Sequence, residues 1–165
     1  MSEVTNEQIA NDLINLSSNN EIQKKQSIEE KFDIERNEWL DKIRNLTEKM
    51  KDIFLCSEVL VETLSERQVA VDKTHMLMYM LSKINADLRD KKRERFIYYT
   101  QNYDQRLDKS DRENFINADL RKQVLLQELF SNHLSYMRST VDTLSNLYYG
   151  VSTRLKLEEY KRSQH

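Results

Sequence analysis

The sequence of 165 residues contains no proline and only one glycine, Gly150. A sheet protein of this length needs many tight turns, and such turns depend on glycine and proline. Their near absence argues against folds built on sheets and predicts an all-α protein with long helices. Charged residues make up 33% of the chain and hydrophobic residues 38%, which is typical of coiled coils. Because a thin helical chain buries little core, we expect an elongated subunit that assembles with other copies.

The sequence also lacks the residues that several kinds of functional site need. The single cysteine, Cys56, lies in an apolar run and fits a reduced, cytoplasmic setting. Phosphate-binding loops need several glycines close together, and metal sites need clustered histidines, cysteines or carboxylates. Neither pattern occurs, and no apolar run is long enough to span a bilayer. We therefore expect no catalytic residue, metal, cofactor or membrane partner, and hence no enzyme.

The net charge is only −2, so any binding of nucleic acid must come from a local patch. The best candidate is a basic stretch followed by two tyrosines. Its predicted nucleic-acid-binding residues are Lys91, Lys92, Arg93, Arg95, Tyr98 and Tyr99. Cations would meet phosphates and rings would stack on bases. The alternative is a solvated charged turn, in which the cations pair with Asp87, Asp90 and Glu94.

Helical periodicity divides the chain into two parts. Residues 1–33 are polar, and we expect a mobile N-terminal extension whose short helix breaks at residues 17–20. Residues 34–165 carry apolar positions that alternate spacings of four and three, as in a heptad seam. The first seam comprises Trp39, Ile43, Leu46, Met50, Ile53, Ser57, Leu60 and Leu64, and the second comprises Leu126, Phe130, His133, Met137, Val141, Leu144, Tyr148, Val151 and Leu155.

The remaining patterns predict where helices begin and end. The first seam falters near residues 65–74, where we expect a bend or a helix boundary. The methionine-rich run at residues 75–80 is expected in the core, and the alternative is a pliable interface. Residues 100–104 are polar and turn-prone, and the capping box Ser110–Glu113 predicts the start of a long helix. Gly150 marks either a kink or a close helix approach. From the second seam we assign oligomerisation to Phe130, Met137, Val141, Leu144, Tyr148 and Val151.

The segment from Arg93 to Thr100, with its basic pair and its Tyr-Tyr, resembles a segment of the UvsY family of phage recombination mediators. The similarity continues in order through Lys109–Asp111, Phe115–Asp119, Glu128–Leu129 and Val141–Leu144. It covers roughly residues 60–160, while residues up to about 34 extend beyond the family pattern. Two departures are the acidic Glu94 between the two arginines and a loop at residues 100–108 that is shorter and poorer in glycine.

The resemblance implies a helical protein that forms a closed homo-oligomeric ring, expected to be a heptamer. It implies binding to single-stranded DNA, to a single-strand-binding protein and to a RecA-like recombinase, whose loading onto coated strand the protein would promote in the host cytoplasm. The family's basic pair that contacts DNA falls on Arg93 and Arg95. The alternative is a structural coiled-coil scaffold that binds no nucleic acid.

Overall fold

The computed structural model describes residues 6–103 and 106–164, with side chains from residue 28 onward. The chain divides into two compact units, residues 1–38 and 39–165. Almost all of the described residues are helical and none lies in a strand, which confirms the all-α prediction for this part of the chain. The helices are α1 (Asn6–Lys49), α2 (Cys56–Ile97), α3 (Lys109–Asp119) and α4 (Arg121–Ser163), with a 3-10 helix at Ile53–Leu55 and a π-helix at Tyr98–Asn102.

The first unit contains most of α1. The helix passes through residues 17–20 without interruption, so the predicted break there is wrong. Within this unit, Arg36 and Asp33 form an ion pair at 3.1 Å. Residues 1–5 of the predicted mobile extension lie outside the described residues.

The second unit begins with a helical hairpin that the sequence pattern did not predict. α1 ends at Lys49, and the carboxylate of Asp52 accepts a hydrogen bond of 2.9 Å from the Phe54 amide. Aspartate favours such an N-terminal cap because its oxygen satisfies an amide that the helix leaves unbonded. α2 then starts at Cys56 and runs through residues 65–74 without a break. The boundary expected at 65–74 is therefore wrong, and the real one lies at residues 50–55.

This hairpin changes which positions of α2 face the core. A seam continued from Met50 would bury Ser57, Leu60 and Leu64, but Ser57 and Leu64 are exposed and Leu60 is only half-buried. The buried residues of α2 are Cys56, Val59, Thr63, Ala70, Thr74, Leu77 and Leu88. Because the turn interrupts the helix, the positions of α2 that face the core lie one residue earlier than a continuous seam would place them.

α2 and α4 form a long antiparallel pair. Near one end, Arg67 donates to the Ser145 hydroxyl at 2.8 Å; further along, Gln127 donates to the Asn85 carbonyl oxygen at 2.8 Å. Along this pair α4 buries a stripe at helical spacing, comprising His133, Leu134, Met137, Thr140, Leu144 and Val151. Each large apolar side chain in such a stripe contributes about 1.5–3 kcal/mol through burial.

The last turns of α1 add a third helix at one end of this pair. Trp39 is 2% exposed and Leu46 is 1% exposed. Lys42 pairs with Glu66 at 2.6 Å, which sets this part of α1 against α2. Arg154 of α4 donates to the carbonyls of Met50 and Lys51, in the turn that follows α1. The three helices thus meet at the end of α1.

Other expectations need correction. In the methionine-rich run only Leu77 is buried, whereas Met76 is 52%, Met78 45% and Met80 40% exposed; the core prediction for the run is wrong. Gly150 lies inside α4, and an added Cβ would meet nothing within 4 Å, so no helix approaches closely there. The helix predicted to begin at Ser110 is capped two residues earlier, where the Asp108 carboxylate accepts from the Asp111 amide at 2.8 Å. This helix is also shorter than expected, because α3 ends at Asp119 and α4 follows Leu120.

None of the helices in the described part of the chain combines the length and the apolar character needed to cross a membrane.

Candidate nucleic-acid interface

The predicted basic and aromatic residues lie at the end of the α2–α4 pair where α3 connects the two helices. The last turns of α2, the π-helix and α3 meet there, and we call this region the tip (residues 89–103 and 109–120). A small core holds it together: Leu88, Ile116 and Leu120 are buried, and Tyr99 and Val124 pack against them. The tip is therefore a packed structure that can position side chains.

The cations of the predicted cluster occupy two different sides of α2. Residues two apart on an α-helix are separated by about 200° around its axis, so Arg93 and Arg95 point in nearly opposite directions. Lys91 and Arg95 lie on one side, four residues apart. Lys91 pairs with Asp87 at 2.8 Å, and Arg95 pairs with Asp119 at 3.4 Å. The solvated ion-pair alternative thus describes Lys91, whereas Arg95 pairs with a residue of α3 that the alternative did not include.

Arg93 lies on the other side, and Lys92 lies between the two sides, about 100° around the helix axis from both Lys91 and Arg93. Both are exposed, and within the described part of the chain neither forms an ion pair. Arg93 has Arg89 one turn before it and Phe96 one turn after it. Because residues three and four apart share a helix face, these side chains form one cationic and aromatic surface. Glu94 lies on a different face, so it does not interrupt this surface.

The aromatic residues of the tip form a cluster. Tyr99 stacks on Phe115 with ring centroids 5.6 Å apart and an interplanar angle of 24°. Tyr98 meets the Tyr99 ring edge-on at 5.0 Å, and Tyr103 lies 5.3 Å from Tyr99. Edge-on and offset contacts at these distances are favourable because the rings' quadrupoles attract. The cluster packs the π-helix and Tyr103 against α3.

Tyr99 occupies the centre of this cluster and is half-buried. Its hydroxyl donates to the Asp119 carboxylate at 2.9 Å. Burial, and then the hydrogen bond to Asp119, raise the pKa of Tyr99 above its ordinary value of 10.0. Because one face of the ring rests on Phe115, Tyr99 has a structural role here. Tyr98 is 41% exposed and is the tyrosine of the pair whose ring remains accessible.

Three further residues of the tip were missed by sequence reasoning. Phe96 is 50% and Phe115 42% exposed, and the guanidinium of Arg112 lies 5.4 Å from the Phe96 ring centroid. The signal for Phe96 was present, since it follows Arg93 by three residues on one helix face. Arg112 and Phe115 come from α3, and only the tertiary fold brings them beside α2.

The residues assigned to oligomerisation are distributed differently from the expectation. Met137, Leu144 and Val151 are each 0% exposed in the single chain, because α2 covers this face of α4. Their side chains therefore offer no surface to another copy, and this part of the assignment is corrected. Phe130, Val141 and Tyr148 are half-buried, and their role in oligomerisation stays a prediction.

Within the described residues, no group of three or more histidines, cysteines or carboxylates is placed to hold a metal ion. No protein-family model, curated protein or solved structure matches the chain.

Proposed function

We propose that this protein binds single-stranded DNA through the tip and acts as a recombination mediator without catalytic chemistry of its own. The observation that carries the proposal is the exposed surface of Arg93 and Phe96, one turn apart on α2, with Arg112 over the phenylalanine ring. Cations beside accessible rings are the chemistry that non-specific single-strand binding uses. The resemblance to the UvsY family supports the more specific role.

In this role the protein shifts the equilibrium between strand bound by the single-strand-binding protein and strand bound by the recombinase. It holds the strand in a form that the recombinase accepts more readily than the single-strand-binding protein does, which requires different affinities for two states of the strand. A single tip offers few cations and so binds weakly. Several tips in one ring raise affinity through effective concentration. The homo-oligomeric ring of seven copies is what the resemblance to the UvsY family implies.

An apolar stripe on α2 supports assembly. Met76, Tyr79 and Met80 lie three and four residues apart on one face of α2, and each is at least 40% exposed. Exposed contiguous apolar surface commonly marks a protein interface. Met76→Glu with Met80→Glu should reduce the mass measured by sedimentation velocity while the helix content stays unchanged. Wild-type mass for this variant would contradict the use of this stripe in assembly.

The tip is tested with a fluorescent single-stranded oligonucleotide. Removing Arg93 and Arg112 together by alanine substitution should weaken binding at least tenfold and make its salt dependence shallower, because fewer counterions are released. Lys156→Ala with Arg162→Ala is the matched control, since it removes two exposed cations of α4 that lie outside the tip. Equal affinity of all three proteins would reject the tip as the DNA site.

The mediator role requires a separate measurement. With a cognate recombinase on strand coated by single-strand-binding protein, the wild type should shorten the lag before ATP hydrolysis, and the Arg93/Arg112 variant should lose most of this effect. A lag that the wild type leaves unchanged would contradict mediation even if DNA binding were found. The scaffold alternative, which the exposed α2 stripe also favours, predicts assembly without DNA binding.

A further inference from the structure

An open groove of about 610 Å³ runs between α2 and α4. Its floor is aliphatic: Leu88 is 6% and Leu134 5% exposed, and Leu81 lies beside them. The groove extends from Met78 to Lys92 along α2, which corresponds to about 21 Å at the helical rise of 1.5 Å per residue. Its volume is in the range of about 300–1,000 Å³ that ligand-binding clefts occupy.

The charges around this groove are all positive. Arg89 and Lys92 lie at one end, and Arg138 reaches it from α4 near the other end, beside Met78. No carboxylate is among the lining residues, and within the described part of the chain none of these three cations forms an ion pair. Across the middle, Gln127 and Asn85 are joined by a hydrogen bond of 2.8 Å, which fixes the spacing of the two helices.

The aliphatic floor and the cations of the groove indicate which class of ligand it binds. An aliphatic floor favours aliphatic side chains, whereas single-stranded nucleic acid binds best where rings can stack on its bases. No ring lines the groove; the exposed rings of this region are at the tip. Two antiparallel helices with a groove of aliphatic floor and polar walls between them accept an amphipathic third helix, and cations at both ends attract carboxylates. We propose that the groove binds an acidic amphipathic helix of a partner protein, with leucine-type side chains on the floor and carboxylates at Arg89, Lys92 and Arg138.

The groove shares Arg89 and Lys92 with the tip, so variants that touch only one surface separate the two proposals. Arg138 belongs to the groove alone, and Arg93 and Arg112 belong to the tip alone. The probe is a fluorescein-labelled helical peptide with leucines along one edge, glutamates on both sides of them, and no aromatic or basic residue. Its anisotropy is measured with the full-length protein. We expect saturable binding that weakens with salt, and at least tenfold weaker binding by the variant Arg89→Glu with Arg138→Glu.

The matched control is Lys156→Glu. Lys156 is exposed on α4, eighteen residues after Arg138, so it points in the same direction about 27 Å along the helix. This variant should bind the peptide like the wild type. Circular dichroism of all variants confirms their helix content, which these exposed substitutions should leave unchanged.

Three outcomes would overturn the proposal. The first is no saturable binding of the acidic peptide by the wild type. The second is equal binding of a peptide in which glutamine replaces every glutamate, since the cations would then contribute nothing. The third combines two results: a single-stranded oligonucleotide displaces the peptide from the wild type, and the variant Arg89→Glu with Arg138→Glu no longer binds that oligonucleotide. The groove would then be part of the DNA site. Loss of DNA binding in the tip variant with retained peptide binding supports two separate surfaces.

Discussion

Arg95 and Asp119 form an ion pair at 3.4 Å that joins the last turn of α2 to the last residue of α3. The same carboxylate accepts the hydroxyl of Tyr99 at 2.9 Å. One acidic residue therefore holds both a cation and a tyrosine of the predicted DNA-binding set in structural contacts. Arg93, only two residues away, points to the opposite side of the helix and has no such partner in the described part of the chain.

This difference predicts that the two arginines are not equivalent. Arg93→Ala should reduce the slope of log affinity against log salt by about 0.7 for each phosphate of single-stranded DNA that the arginine neutralises. Arg95→Ala should leave the slope nearly unchanged and reduce stability by about 0–1 kcal/mol, as for other partly exposed ion pairs. Oligonucleotide titrations at several salt concentrations, with thermal melts of each variant, measure both effects. A larger slope change for Arg95→Ala would reverse the assignment.

Arg154 should stabilise the end of α1. Its guanidinium donates to the carbonyls of Met50 and Lys51, and loss of hydrogen bonds from a charged donor costs about 1.5–3 kcal/mol. Arg154→Ala should therefore lower the Tm by roughly 3–12 °C, using about 2–4 °C per kcal/mol for a chain of this size. Arg154→Lys should recover less than half, because an ammonium lacks the planar fork that reaches two acceptors. The exposed Arg162→Ala serves as the control, and an equal Tm for it and Arg154→Ala would contradict the role.

Thr63 and Thr74 provide a matched pair in the core. Thr63 is 0% exposed and its hydroxyl has no hydrogen-bond partner among the described residues, whereas the Thr74 hydroxyl donates to the Ala70 carbonyl at 2.8 Å. Burying an unbonded hydroxyl is costly, so Thr63→Val should increase the free energy of unfolding by about 1 kcal/mol. Thr74→Val should leave it unchanged or lower it slightly. Urea titrations compare them, and equal effects would refute the distinction.

Gly150 is predicted to be a weak point of α4. Glycine in a helix interior costs about 0.8–1 kcal/mol relative to alanine, and an added Cβ would meet nothing within 4 Å. Gly150→Ala should raise the free energy of unfolding by about 1 kcal/mol, and Gly150→Val should raise it less because β-branched residues are poorer helix formers. Denaturant titrations give both values. If alanine proved destabilising, Gly150 would have to meet a neighbour that the single chain does not contain.

Tyr99 should make the stability of the tip depend on alkaline pH. Burial, followed by its hydrogen bond to Asp119, raises its pKa above 10.0, so the folded state holds the proton more tightly than the unfolded state. The stabilisation is fully present below the unfolded pKa and is lost as the pH rises through the folded pKa. The free energy of unfolding, measured over roughly pH 9–11, should fall more steeply with pH for the wild type than for Tyr99→Phe. Identical pH profiles would show that Tyr99 does not contribute.

Much of the fold was predictable because helical periodicity is a local property. The second seam shows this: every residue assigned to it, from Leu126 to Leu155, is buried or half-buried. The first seam shows the limit, since its spacing continued smoothly through residues 50–55, where the chain turns. An aspartate cap and a short 3-10 helix are hard to recognise in a sequence without proline. The core-facing positions of α2 were therefore predicted one residue too late.

The candidate site shows the same division between local and tertiary information. The sequence by itself determined that the protein is built from long helices and that its basic residues and its tyrosines fall together at residues 91–99, because composition and spacing along one helix decide both. The pair Lys91–Asp87 is also local, but only the tertiary structure decided that Arg95 is paired. Asp119 is distant in sequence and reaches Arg95 through the return of the chain in α3, while the open groove beside Arg89 exists because α4 lies antiparallel to α2.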